Sequence, residues 1–517
     1  MRIAYSVETV RNAERELMAR LPDDALMQRA AGGLAVACAA LLRDLLGRVY
    51  GARVVVLAGS GDNGGDALYA GARLARRGAG VAAVLLAPDR AHAGGLAALL
   101  RAGGRVADGT GGDGTGGRVA GGADGTGAGG AGGATVRAGG PFAVLAAADL
   151  VLDGITGIGG HGGLRPDAVP LVRAARDSGA VVVAVDLPSG VEADSGEVAG
   201  EAVRADVTVT FGTYKPGLLI DPAREHAGAV RLVDIGLRPY LPAVAEFEAL
   251  QHADVARLLP VPTGESDKYR RGVVGIVAGS ARYPGAAVLA VAGALHGGAG
   301  AVRYVGPGGD AVIARFPETL VHEGPPSKAG RVQAWAIGPG LGEGPEVGEG
   351  HGVAEVLASD VPVLVDADGL RLLDAATVRR RTAPTLLTPH AGEAAALLGV
   401  PREEVESARL TAVRELASRY GATVLLKGST TLIADPDKDV PVRVNPTGTP
   451  WLATAGSGDI LSGLSGALLA TGLPPRDAAS AAAYLHGLSA RLASKGAPVS
   501  ALDVAAHLPD AWRNVKE

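Results

Sequence analysis

The sequence predicts an α/β protein of two domains, each a mainly parallel sheet wound with helices. Three observations carry this expectation. The chain of 517 residues is too long for one ordinary core and suits two. Short β-branched runs alternate with helix-length segments in two separate series. Gly- and Asp-bearing loops recur directly after those runs, where parallel sheets collect ligands. Hydrophobic residues are 47% of the chain but aromatics only 3%, so Ala, Val and Leu must fill the cores.

In the first series Ser6 can cap a helix, and Ala25–Leu46 reads as a longer apolar helix. Arg53–Ala58 reads as a buried strand, followed by a Gly-rich loop, a helix around Ala67–Arg77 and a strand at Val81–Leu86. From Gly103 to Gly140 about half the residues are Gly, a composition that cannot bury enough apolar surface to offset ordering entropy. It reads as a flexible insertion in a surface connection. Leu150–Leu152, Val181–Val185, Val207–Thr210 and Val230–Val233 continue the strands, with a helix at Ala168–Asp177. The pattern fades at Pro239–Ala249. The expected division is therefore residues 1–240, a linker at 241–250, and residues 251–517.

The second series opens with a strand at Val273–Ala278 and a helix through Leu295. Val302–Val305, Ala334–Ile337, Val361–Val365, Thr385–Leu387 and Val424–Leu426 read as further strands. Val405–Tyr420 and Ala478–Leu492 read as long helices, the second with Asp477 as its N-cap.

Net charge is −5, with no basic footprint for nucleic acid. The single cysteine, Cys38, allows no intrachain disulfide, which fits a reducing compartment. Met1–Glu16 carries charges where a signal peptide needs an apolar region, and no stretch reads as a membrane span. The expectation is a cytoplasmic homo-oligomer that meets small molecules, with neither nucleic acid nor membrane as a partner.

Gly59–Asp66 (GSGDNGGD) sits between a strand and a helix, where glycines allow close backbone approach and a helix N-terminus favours an anion. Its spacing is neither a dinucleotide fingerprint nor a P-loop. Asp153 and Asp186 end two further strands, and Ser189 follows in DLPSG. Together with Asn63 they offer hard oxygens to one crevice, a donor set that suits a cation. For each aspartate alone, a helix cap is the plainer explanation. Lys215, in TFGTYKPG, suits phosphate neutralisation or proton transfer, against the plainer reading of a solvated surface lysine.

In the second half, Ala455–Asp459 (AGSGD) opens an apolar helix. Its Gly-Ser-Gly N–H groups can cradle a transferring phosphoryl group, and Asp459 can take a proton from a hydroxyl acceptor. An Asp N-cap is the bland alternative. Lys427–Thr431 (KGSTT) follows a strand and offers a lysine and hydroxyls to adenylate phosphates. His390 lies in a loop of the same crevice, in TPHAGE.

GSGDNGGD, DGITGIGG, DLPSGVEADSG and TFGTYKPG resemble the N-terminal epimerase domain of NAD(P)H-hydrate repair enzymes, across most of Met1–Tyr240. GSARYPGAA, IGPGLG, VDADGL, TPHAGE, KGSTT and NPTGTPWLATAGSGD resemble the ADP-dependent NAD(P)H-hydrate dehydratase across His252–His507. The resemblance implies a Rossmann-like first domain and a ribokinase-like second one. It implies potassium on Asn63, Asp153 and Ser189. Substrate contacts would come from Asp62, Asn63, Gly64, Gly65 and Asp66, from Gly157, Ile158, Gly159, Gly160, His161, Gly162 and Gly163, and from Asp186. Asp62 stands where the family usually has Asn. Asp186 and Lys215 would act in catalysis. In the second domain it implies substrate contact by Ala286, Gly340, His390 and the catalytic Asp459. ADP, with Mg²⁺, would be held by Lys427, Gly428, Ser429, Thr430 and Thr431, and by Thr449, Thr454, Ala455, Gly456, Ser457 and Gly458. The reaction implied is epimerisation of hydrated NADH and NADPH, then dehydration of the S form at the expense of ADP. The rival is a ribokinase-like small-molecule kinase, such as a hydroxymethylpyrimidine or hydroxyethylthiazole kinase, with a regulatory or scaffold first domain.

Overall fold

The computed structural model describes residues 1–107, 140–342 and 351–517. Of the expected Gly-rich insertion, residues 108–139 lie outside the described residues.

The chain opens with β1 (Arg2–Ala4), which stands apart from the first sheet. That sheet holds β2 (Arg53–Ala58), β3 (Gly80–Leu85), β4 (Arg105–Val106), β5 (Leu150–Gly154), β6 (Val181–Val185), β7 (Val207–Phe211) and β8 (Ala229–Val233). Its order is β4-β3-β2-β5-β6-β7-β8, every pairing parallel. The order reverses between β2 and β5, so a crevice opens at their carboxyl ends. Helices cover both faces, which explains why strands such as β5 are apolar on successive residues rather than alternate ones.

The second sheet adds β9 (Phe247–Ala249), β10 (Val273–Val277), β11 (Ala301–Val305), β12 (Leu320–His322), β13 (Ala334–Ile337), β14 (Val363–Val365), β15 (Thr385–Leu387), β16 (Thr423–Leu426), β17 (Thr431–Ala434) and β18 (Val442–Asn445). Its order is β1-β9-β18-β17-β16-β15-β14-β13-β10-β11-β12. The run from β16 to β12 is parallel; β17 is antiparallel to both its neighbours, and β1 is antiparallel to β9. Helices Pro284–His296 and Ser457–Ala470 pack backbone to backbone across one face. A Cβ at Gly463 would stand 1.9 Å from the Ala290 carbonyl oxygen, and one at Gly293 2.2 Å from that of Ile460. Small residues, not aromatics, set that spacing.

Several expectations are corrected. The helix expected at Ala67 begins at Asp62, so Asn63, Gly64, Gly65 and Asp66 form its first turns. The helix expected at Val405–Tyr420 is two, Arg402–Ser407 and Arg409–Tyr420. Asp477 is no N-cap: its helix starts at Pro475, and its carboxylate pairs with Arg443. The expected linker carries β9, which is parallel to β18, and the chain's first strand completes that edge. Ala25–Leu46 is long and apolar enough to cross a bilayer by length and composition. Its Ala31, Leu34, Cys38 and Leu42 stripe is nevertheless fully buried within the first domain.

The two cores touch. Leu219 and Ile220 of the first domain, with Ala4 and Phe247, are buried among second-domain residues including Leu432 and Val444.

Candidate active sites at the carboxyl ends of the two sheets

Asp186 follows β6 with φ 65°, a left-handed conformation that non-glycine residues hold only under constraint. The constraint is visible. Asp186 Oδ1 accepts from Thr210 Oγ1 (2.9 Å), the Phe211 N–H (3.1 Å) and Lys215 Nζ (2.5 Å). Lys215 Nζ also donates to Thr210 Oγ1 (3.1 Å) and the Phe211 carbonyl (3.0 Å). An ammonium has three protons, and those three acceptors take them. Lys215 is 1% exposed. It is therefore neither a solvated lysine nor free to meet a phosphate; it holds Asp186.

Other carboxylates crowd this pair. Asp66 is buried, its Oδ1 has no hydrogen-bond partner, and its carboxyl is pushed well above the usual range by desolvation and then by Asp186. Glu14, which motif reading missed, is raised to about 7 by burial, opposed by Lys215 and reinforced by Asp186 and Asp62. It shares a helix with Val7, which packs against Leu187 and Ile158, and with Arg11, whose guanidinium lies against Gly159. The Val7–Met18 helix therefore lies over the crevice, and only tertiary packing brings it there.

Asn63, Asp153 and Ser189 do converge. Ser189 donates from Oγ to Asp153 Oδ1 (2.6 Å) and from its N–H to Oδ2 (2.8 Å). Asn63 Nδ2 donates to the Thr156 carbonyl (3.0 Å), and the Thr156 N–H donates to Ser189 Oγ (2.9 Å). Asp153 is fully buried, and burial raises its carboxyl to about 6 against the opposing bonds from Ser189 and Ile155. None of the three caps a helix. The glycine loop 157–163 is tethered by Glu192, which accepts from the Gly162 N–H (2.9 Å) and pairs with the exposed His161 (2.8 Å). A Cβ at Gly157 would touch the Asn63 side chain, so loop and cluster adjoin.

The second crevice repeats the theme. Lys427 Nζ pairs with Asp366 Oδ1 (2.7 Å) and lies 3.6 Å from Glu393. It also stands 3.7 Å from where a Cβ on Gly458 would be, beside the helix start. Ser462 donates to the other Asp366 oxygen. Asp368 Oδ2 accepts from the Gly342 N–H (2.9 Å), pinning the loop that carries Gly340. Gly340 itself (φ 62°) packs on Ala286, so those two expected contacts adjoin. Asp366, Asp368 and Glu393 had no role assigned from sequence.

Asp459 lies in the first turn of the Ser457–Ala470 helix, whose N-cap is Gly456 in the left-handed region. The cap explanation of Asp459 thus fails. Its carboxyl is raised to about 7, first by burial, then by Asp366, with Lys427 opposing. His486 is buried beneath the Ser457 backbone, and burial lowers it to about 4, so it is neutral. Arg491 holds the approach to the helix through the carbonyls of Thr447 (2.5 Å) and Gly448 (3.0 Å). Thr449 caps the short turn Pro450–Leu452, and Thr454 and Ala455 lead from it to Gly456. His390 is the N-cap of the Ala391–Leu398 helix: its Nδ1 accepts from the Glu393 N–H (3.1 Å), and Nε2 of the exposed ring lies 3.4 Å from Glu393 Oε1.

Known proteins fall into the same two halves. Residues 274–509 match the family model described as NAD(P)H-hydrate dehydratase, and residues 23–217 match that of the YjeF-related protein N-terminus. A protein of Mycobacterium leprae (strain TN), named bifunctional NAD(P)H-hydrate repair enzyme Nnr, is 46% identical over 98% of both chains. This chain belongs to that family. The like-named protein of Mycobacterium tuberculosis (strain ATCC 25618 / H37Rv) is 47% identical over 93% of this chain and 91% of its own. An ADP/ATP-dependent NAD(P)H-hydrate dehydratase from Bacillus subtilis, co-crystallized with ATP and Mg²⁺, is 31% identical, covering 51% of this chain and 97% of that one at a TM-score of 0.47. In this repair-enzyme family member the two matched spans fall on the two sheets, one crevice each.

Proposed function

We propose that the chain restores hydrated NADH and NADPH in two steps, one at each crevice. At the first, the R and S epimers exchange. Asp186, paired with Lys215, faces a set of carboxyls that includes Asp66, pushed well above the ordinary range by burial, and Glu14, raised to about 7. Such a set can both accept and donate a proton. Lys215 acts through Asp186 rather than on the substrate. Potassium fits the Asn63, Asp153 and Ser189 oxygens, because Asp153 is a fully buried carboxylate that its hydrogen bonds do not bring back to its ordinary range. The ion would supply that missing charge.

At the second crevice, Asp459 takes the proton of the C6 hydroxyl as it accepts the terminal phosphoryl group of ADP, releasing AMP. Loss of phosphate from C6, together with a proton from the adjacent ring carbon, then restores the dihydropyridine. Phosphorylation converts a poor leaving group into a good one. The Gly456–Gly458 amides and Lys427 face the group in transfer. Mg²⁺ would come with the nucleotide and neutralise phosphate charge, since both Asp366 oxygens are already bonded, by Lys427 and Ser462, and Glu393 accepts from the His390 N–H. The observation that carries the reading is Asp459, placed beside Lys427 at a helix start with its carboxyl tuned to about 7. A regulated small-molecule kinase would not need Asp186, Lys215, Asn63, Asp153 and Ser189 assembled in the first domain.

Hydrated NADH incubated with ADP should regain the reduced-nicotinamide absorbance. The S epimer should need only the second site and the R epimer both. Failure with both epimers would overturn the reading. Association of copies is supported by the exposed Val36, Leu45, Leu46 and Tyr50, and sedimentation tests it. A buried free thiol, Cys38, supports a cytoplasmic setting.

A further inference from the structure

Six residues beyond Lys215, the first domain reaches into the nucleotide loop of the second. Leu219 and Ile220 are buried in the second domain's core and carry Asp221 to the turn between β16 and β17. Asp221 is 4% exposed. Its Oδ2 accepts from Ser429 Oγ (2.5 Å), and its N–H donates to Thr430 Oγ1 (3.1 Å). On the other side of the turn lies Arg409, 6% exposed, whose guanidinium donates to the carbonyls of Leu426 (3.3 Å), Lys427 (3.1 Å) and Thr430 (3.0 Å). Burial lowers Arg409, and Asp221 then Glu406 oppose that. The turn is thus gripped between a cation beneath it and a carboxylate from the other domain.

This changes what the turn offers. The hydroxyls of Ser429 and Thr430 are committed to Asp221, so the backbone, with Lys427, is left for phosphates. A carboxylate that fixes the hydroxyls also fixes the backbone amides. The segment joining Lys215 to Asp221 is short and internally bonded, by Leu218 N–H to the Lys215 carbonyl (3.0 Å) and Ile220 N–H to the Pro216 carbonyl (3.0 Å).

We propose that Asp221 of the first domain is a positioning residue for the Lys427–Thr431 loop of the second, so that nucleotide affinity at the dehydratase site depends on the epimerase domain. The inference rests on reading that loop as the ADP site.

A double-mutant cycle on the full-length protein tests it, with ADP affinity measured by calorimetry and KM separated from kcat. Asp221→Ala should weaken ADP about tenfold, the worth of one hydrogen bond to a charged partner. Asp221→Asn, which still accepts from Ser429, should recover part of that loss. Ser429→Ala should weaken ADP similarly, and Asp221→Ala with Ser429→Ala should be no worse than the worse single change. In Asp221→Ala, dehydration at saturating ADP should stay within about twofold of wild type, consistent with a role in binding alone. Unchanged affinity in Asp221→Ala, or strictly additive losses, would overturn the proposal while leaving the reaction assigned above intact. A wild-type protein that binds no ADP would overturn both.

Discussion

Lys215 and Lys427 invite comparison. Each stands at the carboxyl end of a parallel sheet, paired with an aspartate and ringed by further carboxylates. Their surroundings give them different work. Lys215 is 1% exposed and its three protons are taken by Asp186, Thr210 and Phe211, so it holds a neighbour in place. Lys427 bonds Asp366, keeps 18% of its side chain exposed and lies beside Gly458, so it can still meet an incoming anion. A strand-end lysine in an α/β protein is therefore not one signal. How many of its protons are already engaged decides whether it binds or positions.

The largest expected effect lies at the second site. Asp459→Asn keeps shape but removes the base, so dehydration turnover should fall by about 10²–10⁴-fold. ADP affinity by calorimetry and epimerisation on the same sample should stay near normal. Near-normal dehydration would remove Asp459 from the mechanism.

Next comes a direct contrast of the lysines. Lys215→Met strands Asp186 among buried carboxyls and should cost about 3–5 kcal/mol of stability as well as epimerisation. Lys427→Met should cost less stability, because the Lys427 side chain is 18% exposed against 1% for Lys215, while ADP-dependent activity is lost. Denaturant unfolding of both variants ranks them, and equal losses would erase the distinction.

The pH dependence should separate the sites further. The Asp459 carboxyl, raised to about 7, is ionised only above that value, so dehydration should fall as pH drops through 7. The same limb should vanish in Asp459→Asn. A flat profile in wild type would mean the proton goes elsewhere.

A smaller effect should mark the Asn63, Asp153 and Ser189 cluster, where potassium is proposed. Asp153 has its folded-state value raised to about 6 from an ordinary 3.8, so the folded protein binds that proton more tightly. Its stability contribution is full below about 3.8 and lost as pH rises through about 6. Bound potassium should offset that loss. Potassium should therefore raise the melting temperature by a few degrees at pH 8 and hardly at all at pH 5, and Asp153→Asn should abolish the difference. Sodium serves as the control.

The smallest effect concerns the domain boundary. A fragment of residues 253–517 lacks β1 and β9 and leaves β18 without its neighbour. A fragment of residues 245–517 keeps β9, and with it Glu248, which bonds Arg443 (3.1 Å) and Arg476 (2.8 Å). The longer fragment should melt a few degrees higher. Equal melting would make that edge decorative.

Much of this was legible in the sequence, for a physical reason. Strands buried on both faces read as unbroken apolar runs, and the loops after them must bend sharply, so Gly and Asp mark their ends. That rule pointed to Asn63, Asp153, Asp186 and Lys427, whereas Asp459 was singled out by the Gly-Ser-Gly turn that opens its helix. It failed where pairing is non-local or short: β1, β9, β17 and β18 have three or four residues each and no periodicity to detect. It misplaced the start of the Asp62–Ala75 helix, because two successive glycines argue against helix until packing demands them. Glu14 and Asp221 carry no local pattern at all. One sits on a helix far upstream of the loops it faces, and the other is a single aspartate whose partners are about 200 residues away in the chain.

The strand Arg2–Ala4 has a consequence for how the molecule is made. It pairs with Phe247–Ala249, which in turn leans on Val442–Asn445. At roughly 5–20 residues per second, a ribosome needs about 10–40 s to travel between those last two segments. Throughout that interval the Arg2–Ala4 segment has its partner Phe247–Ala249 but not the strand that joins the pair to the second sheet. Ala4, at the end of that segment, is fully buried in a cluster that includes Leu432 and Val444. The first domain can close around its own crevice early, whereas the edge formed by Arg2–Ala4, Phe247–Ala249 and Val442–Asn445 joins segments of the polypeptide made well apart in time.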